Sequence, residues 1–170
     1  MNAESLRYPQ YADLFKSIVA TPHGYLTVFA NDDAVKAIDF CDTHPSLNEN
    51  SVSTLAAKQL SEYIAQQRTN FDLPLQPDGT EFQKKVWQAL LSIPYAAVAS
   101  YLDIALLVGN KKACRAVGSA NGRNPIPIVI PCHRIIGSNG KLTGYAGGLT
   151  RKTYLLALEA KDKIENFSLN

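Results

Sequence analysis

Ser100–Ala120 reads SYLDIALLVGNKKACRAVGSA, and this stretch decides the fold class. Ser100-x-x-Asp103 resembles a capping box, in which a hydroxyl and a carboxylate three residues on satisfy each other's free backbone amides. It opens a short helix through Leu106 that ends near Gly109, glycine being the residue that best accepts the left-handed turn after a helix. Asn110 is placed to cap a second helix, from about Lys111 to Ala120. Two short helices across a Gly-Asn turn have the outline of a helix-turn-helix, with the second as recognition helix. That second helix carries Ala113, Ala116, Gly118, Ser119 and Ala120, small residues that admit close approach of another surface, and the long cation Arg115. Tight packing between helices explains small residues equally well, so the outline alone leaves function open.

Working back toward the N-terminus, Thr80-x-x-Gln83 is a capping box, and Phe82, Val86, Ala89, Leu90 and Ile93 keep a helical period until Pro94. Trp87 falls on this helix and reads as core. The prolines and the Asp78-Gly79 turn pair in 74–79 mark a boundary, giving units 1–79 and 80–170. The first reads as a small α+β scaffold. Tyr25–Ala30 and Val35–Phe40 are β-prone runs around an Asn31-Asp32-Asp33 turn, with Phe15–Ala20 as a further strand. Val52, Leu55, Ala56, Leu60, Tyr63 and Ile64 form a helical stripe to cover the sheet. Phe71, Leu73 and Leu75 alternate, and Pro74 restricts them to an edge strand.

The chain has 170 residues, of which 46% are apolar and 19% charged, a composition that excludes disorder and collagen-like repetition. No run reaches the ~18 apolar residues of a membrane span, and residues 1–10 lack the apolar run of a signal peptide, so a cytoplasmic protein is expected. The three cysteines, Cys41, Cys114 and Cys132, are too widely spaced for a disulfide framework or a paired zinc site, and neither metal nor other cofactor is expected. Residues 1–80 hold five basic against ten acidic residues, a net of −5, while 81–170 hold twelve against five, a net of +7. Such asymmetry suits a polyanion-binding surface in the C-terminal half, and a merely solvated basic face fits the charge as well.

Asn124-Pro125-Ile126-Pro127-Ile128-Val129-Ile130-Pro131-Cys132-His133-Arg134 carries the chemistry. Its three prolines stiffen an apolar segment that delivers Cys132 to a buried position. A buried thiol is ordinarily inert, with a raised pKa, and needs a neighbour such as His133 or Arg134 to become nucleophilic. A Cys-His pair also needs a third group to orient the imidazole. In the last helix, Arg151 to Lys163, Glu159 falls between Leu155 and Leu156 on the apolar face, where a carboxylate needs a His or Arg partner unless it reaches water at the rim. Ser138-Asn139-Gly140 is a turn, and Gly144-Tyr145-Ala146-Gly147-Gly148 a loop whose amides and aromatic ring suit a planar ligand.

These residues resemble the O6-alkylguanine-DNA alkyltransferases, the methylated-DNA–protein-cysteine methyltransferases, in their stand-alone bacterial form. The resemblance runs through Thr80-Glu81-Phe82-Gln83, Ser100-Tyr101, Arg115-Ala116-Val117-Gly118, Asn124-Pro125, Ile130 to Arg134, Gly144 to Gly148 and Leu155 to Glu159, about the last half of the chain. Over residues 1–79 it is limited to Thr21-Pro22-His23-Gly24 and the strand-helix order. It implies a ribonuclease-H-like N-terminal α/β domain and a helical, winged-helix-like domain whose helix-turn-helix enters the minor groove of duplex DNA. Cys132 is then the alkyl acceptor, His133 the base acting through a water, Glu159 its orienting group, and Asn124 the residue holding the turn. Tyr145, Ala146, Ile135 and Tyr101 would line the guanine site. Arg115 would fill the space of the everted nucleotide, Tyr101 would promote flipping and give a proton to the leaving base, and Asn110, Ala116, Gly118 and Ser138 would touch DNA.

The implied partner is duplex DNA carrying O6-alkylguanine, with O4-alkylthymine as a second candidate lesion, and the protein is expected to act as a monomer. The product thioether has no group to hydrolyse it, so each molecule acts once. The sequence lacks the four-cysteine module of larger relatives and the zinc ligands of some eukaryotic ones. Leu102 and Gly122-Arg123 depart from the pattern at points of DNA contact. Two other readings stand beside this one. An alkyltransferase-like lesion binder would lack the acceptor cysteine, which is present here, and a turnover cysteine hydrolase would leave the basic helix-turn-helix unexplained.

Overall fold

The structure, a computed structural model, describes residues 9–160. They divide into two compact units, 9–78 with 125–127, and 79–124 with 128–160. The mixture of helix and sheet is the α+β class expected from the sequence. No helix among the described residues is long and apolar enough to cross a membrane.

The first unit is an antiparallel meander of β1 (Phe15–Thr21), β2 (Gly24–Ala30) and β3 (Val35–Cys41), with α1 (Ser51–Ile64) packed on it. Thr21 pairs with Gly24 across a two-residue hairpin, and Gly24 sits at φ +100, where an L side chain is disfavoured. Asn31 turns the chain from β2 to β3 by accepting the Asp33 and Ala34 amides on its side-chain oxygen. Asn50 caps α1 in a reciprocal box with Ser53.

The buried face of α1 is rotated from the expected stripe. Ser53, Ala56, Gln59, Leu60 and Tyr63 are inside, while Leu55 is 42% exposed. Two polar residues are buried because both are paired. Ser53 Oγ accepts from Ser17 Oγ at 2.8 Å, and the Gln59 amide clamps Asp72, donating to its carbonyl at 3.0 Å and accepting its N–H at 2.9 Å. This clamp also corrects the expected edge strand at Phe71–Leu75. Only Leu75 joins the sheet, by a single parallel bridge to Val35. Pro74 supplies a carbonyl for the Val35 amide but has no N–H of its own, and Asp72 is engaged by Gln59.

In the second unit, α2 (Glu81–Leu90) begins with the expected Thr80–Gln83 capping box, both bonds formed. Trp87 is core, and its indole N–H donates to the Ala120 carbonyl at 2.8 Å, tying α2 to the helix that carries Ala120. A Cβ on Gly79 would collide with the Trp87 ring, so the residue before the cap has to be glycine. The Ser100–Asp103 box opens α3 (Tyr101–Leu107), and Gly109 at φ +83 turns the chain after it.

The next helix starts later than the sequence suggests. α4 runs Cys114–Gly122 and has Ala113, without a side-chain cap, at its N-cap. Asn110 does not cap it, because the Asn110 side chain accepts the Lys112 amide in a local turn at 3.1 Å and its carbonyl accepts the Ala113 N–H. Lys111 and Lys112 therefore stand exposed on the turn. The two-residue strands β4 (Ala99–Ser100) and β5 (Ile135–Ile136) pair in parallel. The last helix, α5, runs Leu149–Glu159, two residues earlier at its start than expected, and the expected continuation to Lys163 lies outside the described residues.

Candidate active site

The segment leading to Cys132 is buried from Asn124 onward, and its geometry is set by backbone constraints. Ile128 takes φ +73, which a β-branched residue rarely adopts and which costs about 1–3 kcal/mol. Asn124 Nδ2 holds the Ile130 carbonyl at 2.8 Å. Pro131, at φ −81 and ψ 62, then forms an inverse γ-turn closed by the Cys132 amide on the same Ile130 carbonyl, also at 2.8 Å. The turn leads into a single 3₁₀ turn, Cys132–Arg134. One tight turn thus presents three consecutive chemical side chains, of which His133 and Arg134 converge on Glu159.

The Cys132 thiol is 3% exposed, and burial pushes its pKa up. The Asn124 side chain, the charge of Lys152 and the Tyr145 side chain act the other way without overcoming burial. Thiol is the resting form, and a base would be required to turn it into a nucleophile.

His133 is fully buried, and burial lowers its pKa against the opposing pull of Glu159, so the imidazole is neutral near pH 7. Its Nε2 lies 2.7 Å from Glu159 Oε1. A carboxylate accepts, so Nε2 carries the proton and Nδ1 presents a lone pair with no hydrogen-bond partner among the described residues. Glu159 itself is completely satisfied. Arg134 donates from Nε to Oε2 and from Nη2 to Oε1, both at 2.9 Å, and the Ala96 amide donates to Oε2 at 3.3 Å. Burial raises the Glu159 pKa, and the His133 and Arg134 bonds outweigh it, holding the carboxyl at about 2. The third guanidinium nitrogen reaches the Ile93 carbonyl at 2.7 Å. Arg134 is therefore engaged by Glu159 and Ile93, and its service is to fix the carboxylate that fixes His133.

Of the residues singled out from sequence, Cys132, His133, Glu159, Asn124 and Tyr145 come together here. Glu159 is 5% exposed, buried with both partners offered for it, not at a rim. Ile135 is buried after the 3₁₀ turn, and Ala146 is exposed. Tyr101 heads α3 with its ring against Gly118 of α4, about where a Cβ would meet it at 3.6 Å. Arg115 and Ala116 are exposed on α4, and Asn110 and Ser138 are exposed in turns.

Three residues of this region escaped the sequence reading. Lys152 is 0% exposed, and its ammonium donates to the Ile135 carbonyl at 2.5 Å and the Thr143 carbonyl at 3.3 Å. Its spacing offered a signal, because Lys152, Leu155 and Glu159 lie on one helical face. Asn121, 4% exposed, donates to the Cys132 carbonyl at 3.4 Å, and Thr143 bonds the Tyr101 hydroxyl at 2.5 Å. Neither carried a local signal, since both act across the fold.

Fold and site together define a helix-turn-helix unit built around a buried cysteine with a His-Glu-Arg relay. The family description "6-O-methylguanine DNA methyltransferase, DNA binding domain" matches residues 81–161, and its "ribonuclease-like domain" matches 14–77. The methylated-DNA–protein-cysteine methyltransferase of Methanosarcina barkeri is 45% identical over 86% of this chain and 97% of its own length. The constitutive enzyme of that name from Bacillus subtilis is 46% identical over 82% and 91%. Among solved structures, the Mycobacterium tuberculosis O6-methylguanine methyltransferase superposes with a TM-score of 0.79 at 40% identity, over 87% of this chain and 93% of that one. The same organism's OGT in complex with DNA gives 0.80 at 41%, over 87% and 94%. The chain belongs to the 6-O-methylguanine DNA methyltransferase family.

Proposed function

We propose that this protein repairs duplex DNA by moving the alkyl group of O6-alkylguanine irreversibly onto Cys132. The observation that carries the reading is the Nδ1 lone pair of His133, held free by the Nε2–Glu159 bond, on the residue next to a buried thiol. His133 takes the thiol proton through a bridging water. The thiolate attacks the alkyl carbon in line, the S–C bond forms, the C–O6 bond breaks, and guanine leaves with the electron pair and gains a proton from Tyr101. The Asn124 and Tyr145 side chains, which both favour the ionised thiol, also stabilise the developing thiolate. No side chain here can hydrolyse a thioether, so one protein repairs one lesion.

A buried thiol cannot reach a base inside the stack, so the nucleotide has to be extruded. Arg115, exposed on α4, fills the vacated space, and Tyr101 stands beside the path of the flipped base. Asn110, Ser138, Ala116 and Gly118 contact DNA, and Ile135 and Ala146 complete the base site with Tyr145. Lys111 and Lys112, exposed on the turn before α4, add phosphate contacts. Residues 80–170 form the DNA-binding and acceptor domain, 1–79 its scaffold, and the protein works as a cytoplasmic monomer, also accepting O4-alkylthymine.

Intact-mass measurement after incubation with a duplex containing O6-methylguanine tests this. One methyl per protein on the wild type, and none on Cys132→Ala despite retained lesion binding, is the expected result. Tight binding with no mass change in the wild type would make it a lesion-flagging protein, and neither binding nor transfer would overturn the family reading of the site.

A further inference from the structure

Thr143 lies in the loop between β5 and α5, and its hydroxyl is 2.5 Å from the Tyr101 hydroxyl. Two independent contacts fix this pair. The Thr143 carbonyl accepts from the Lys152 ammonium, which also holds the carbonyl of Ile135, directly after the Cys132–Arg134 turn. On the other side, the Tyr101 ring rests on Gly118 of α4. Thr143 is thus tied to the Cys132–Arg134 turn through Lys152 and touches Tyr101, the proton donor proposed above.

We propose that Thr143 is a positioning residue for proton donation to the departing guanine, a reading that rests on the alkyl transfer described above. Only one of the two hydroxyl protons can lie between the oxygens. When Thr143 donates, the phenolic proton of Tyr101 is released to point at the base. As the thiolate forms its S–C bond and the C–O6 bond breaks, negative charge moves into the guanine ring. Tyr101 gives its proton to the ring nitrogen that collects this charge, and the Thr143 hydroxyl stabilises the phenolate left behind. Tyr101 is partly exposed and Thr143 exposed, so solvent restores the phenolic proton afterwards. Charge and protons balance without any further reactant.

Without Thr143, the phenol is free to turn its proton elsewhere and its anion loses a donor. The loss should fall on the transfer step and not on DNA binding, because Thr143 acts only through Tyr101.

Single-turnover transfer from a duplex with O6-methylguanine, measured beside the duplex Kd, tests the assignment with Thr143→Val, Thr143→Ser, Tyr101→Phe and the double variant Thr143→Val/Tyr101→Phe. Thr143→Val should transfer about tenfold more slowly, the worth of one hydrogen bond, at unchanged Kd. Thr143→Ser should restore the rate, and Thr143→Val should add no further loss once Tyr101 is Phe. The deficit should also shrink on a methylated base analogue that is a better leaving group. A wild-type rate in Thr143→Val, or an equal loss in the Tyr101→Phe background, would overturn the proposal. Failure of the wild type to transfer at all would instead overturn the reading on which it rests.

Discussion

The two units bury polar groups in opposite ways. In the first, the polar core is neutral and paired locally or with one neighbour, as with the Ser17–Ser53 hydroxyls and the Gln59 clamp on Asp72. In the second, His133, Arg134, Lys152 and Glu159 are all at most 6% exposed, so charges are buried within a single small unit. Neutral pairs of this kind add about 1 kcal/mol each to the fold. Buried ions bring little net stability, because desolvation offsets their attraction. Their retention in the second unit therefore points to an electrostatic task, and the thiol and imidazole of the proposed transfer site are its objects.

The contrast can be broken most severely at Glu159. Glu159→Ala leaves Arg134 buried and unpaired, and should cost about 3–5 kcal/mol. Gln59→Ala in the first unit should cost about 1–3 kcal/mol by leaving the Asp72 backbone groups unsatisfied. Urea denaturation of both variants would show it, and equal costs would erase the distinction between the units.

Arg115→Ala separates recognition from chemistry in the second unit. Flipping costs a few kcal/mol, so duplex repair should slow on the order of a hundredfold while reaction with free O6-benzylguanine is nearly unchanged. Equal slowing on both substrates would reject the role of Arg115 in extrusion.

Lys152→Met sharpens the idea that buried charge serves function. Transfer should fall about tenfold as the thiolate loses a cation, while stability holds or rises, because an ammonium without a carboxylate partner among the described residues is costly to bury. Parallel transfer rates and melting curves would check it. A large stability loss with normal transfer would make Lys152 purely structural.

The pH dependence of stability probes the same buried charges without a substitution. The His133 pKa is depressed below its ordinary 6.5, so its contribution is complete above pH 6.5 and is lost as pH falls through the folded-state value. Glu159 is held at about 2 against an ordinary 4.5, so the unfolded chain binds the proton first and stability falls between pH 4.5 and 2. Both act in the same sense, with a slope of at most about 1.4 kcal/mol per pH unit for each proton. Denaturation midpoints from pH 8 to 3 should decline, and Glu159→Gln should flatten the lower part of the curve.

Much of this was legible from sequence. The capping boxes at Thr80 and Ser100, the hairpin around Asn31 and the turn at Gly109 depend on residues within four positions of each other, whereas α2 ends at Leu90, short of the Pro94 expected to stop it. Glu159 was legible because a carboxylate on an apolar helical face demands a cation or imidazole, and His133 and Arg134 stood beside Cys132. The start of α4 was misread because the Asn110 side chain had two local amides within reach, and it took Lys112 in a turn over the helix. The burial of Ser53 and Gln59 was missed because only a partner from another element makes such burial affordable.

The sequence by itself determined the local framework, namely the helix starts, the hairpin turns, the stiff proline segment, the Cys132-His133-Arg134 triplet and the basic bias of the second half. Only the tertiary structure decided which nitrogen of His133 is free, that Arg134 is bound up with Glu159, that Lys152 is buried on the Ile135 and Thr143 carbonyls, and that Thr143 bonds Tyr101. The reason is physical. Local structure follows from backbone sterics and nearby hydrogen bonds, whereas tautomer, burial and charge pairing depend on groups such as His133 and Glu159, separated by 26 positions, that meet only when the core has closed.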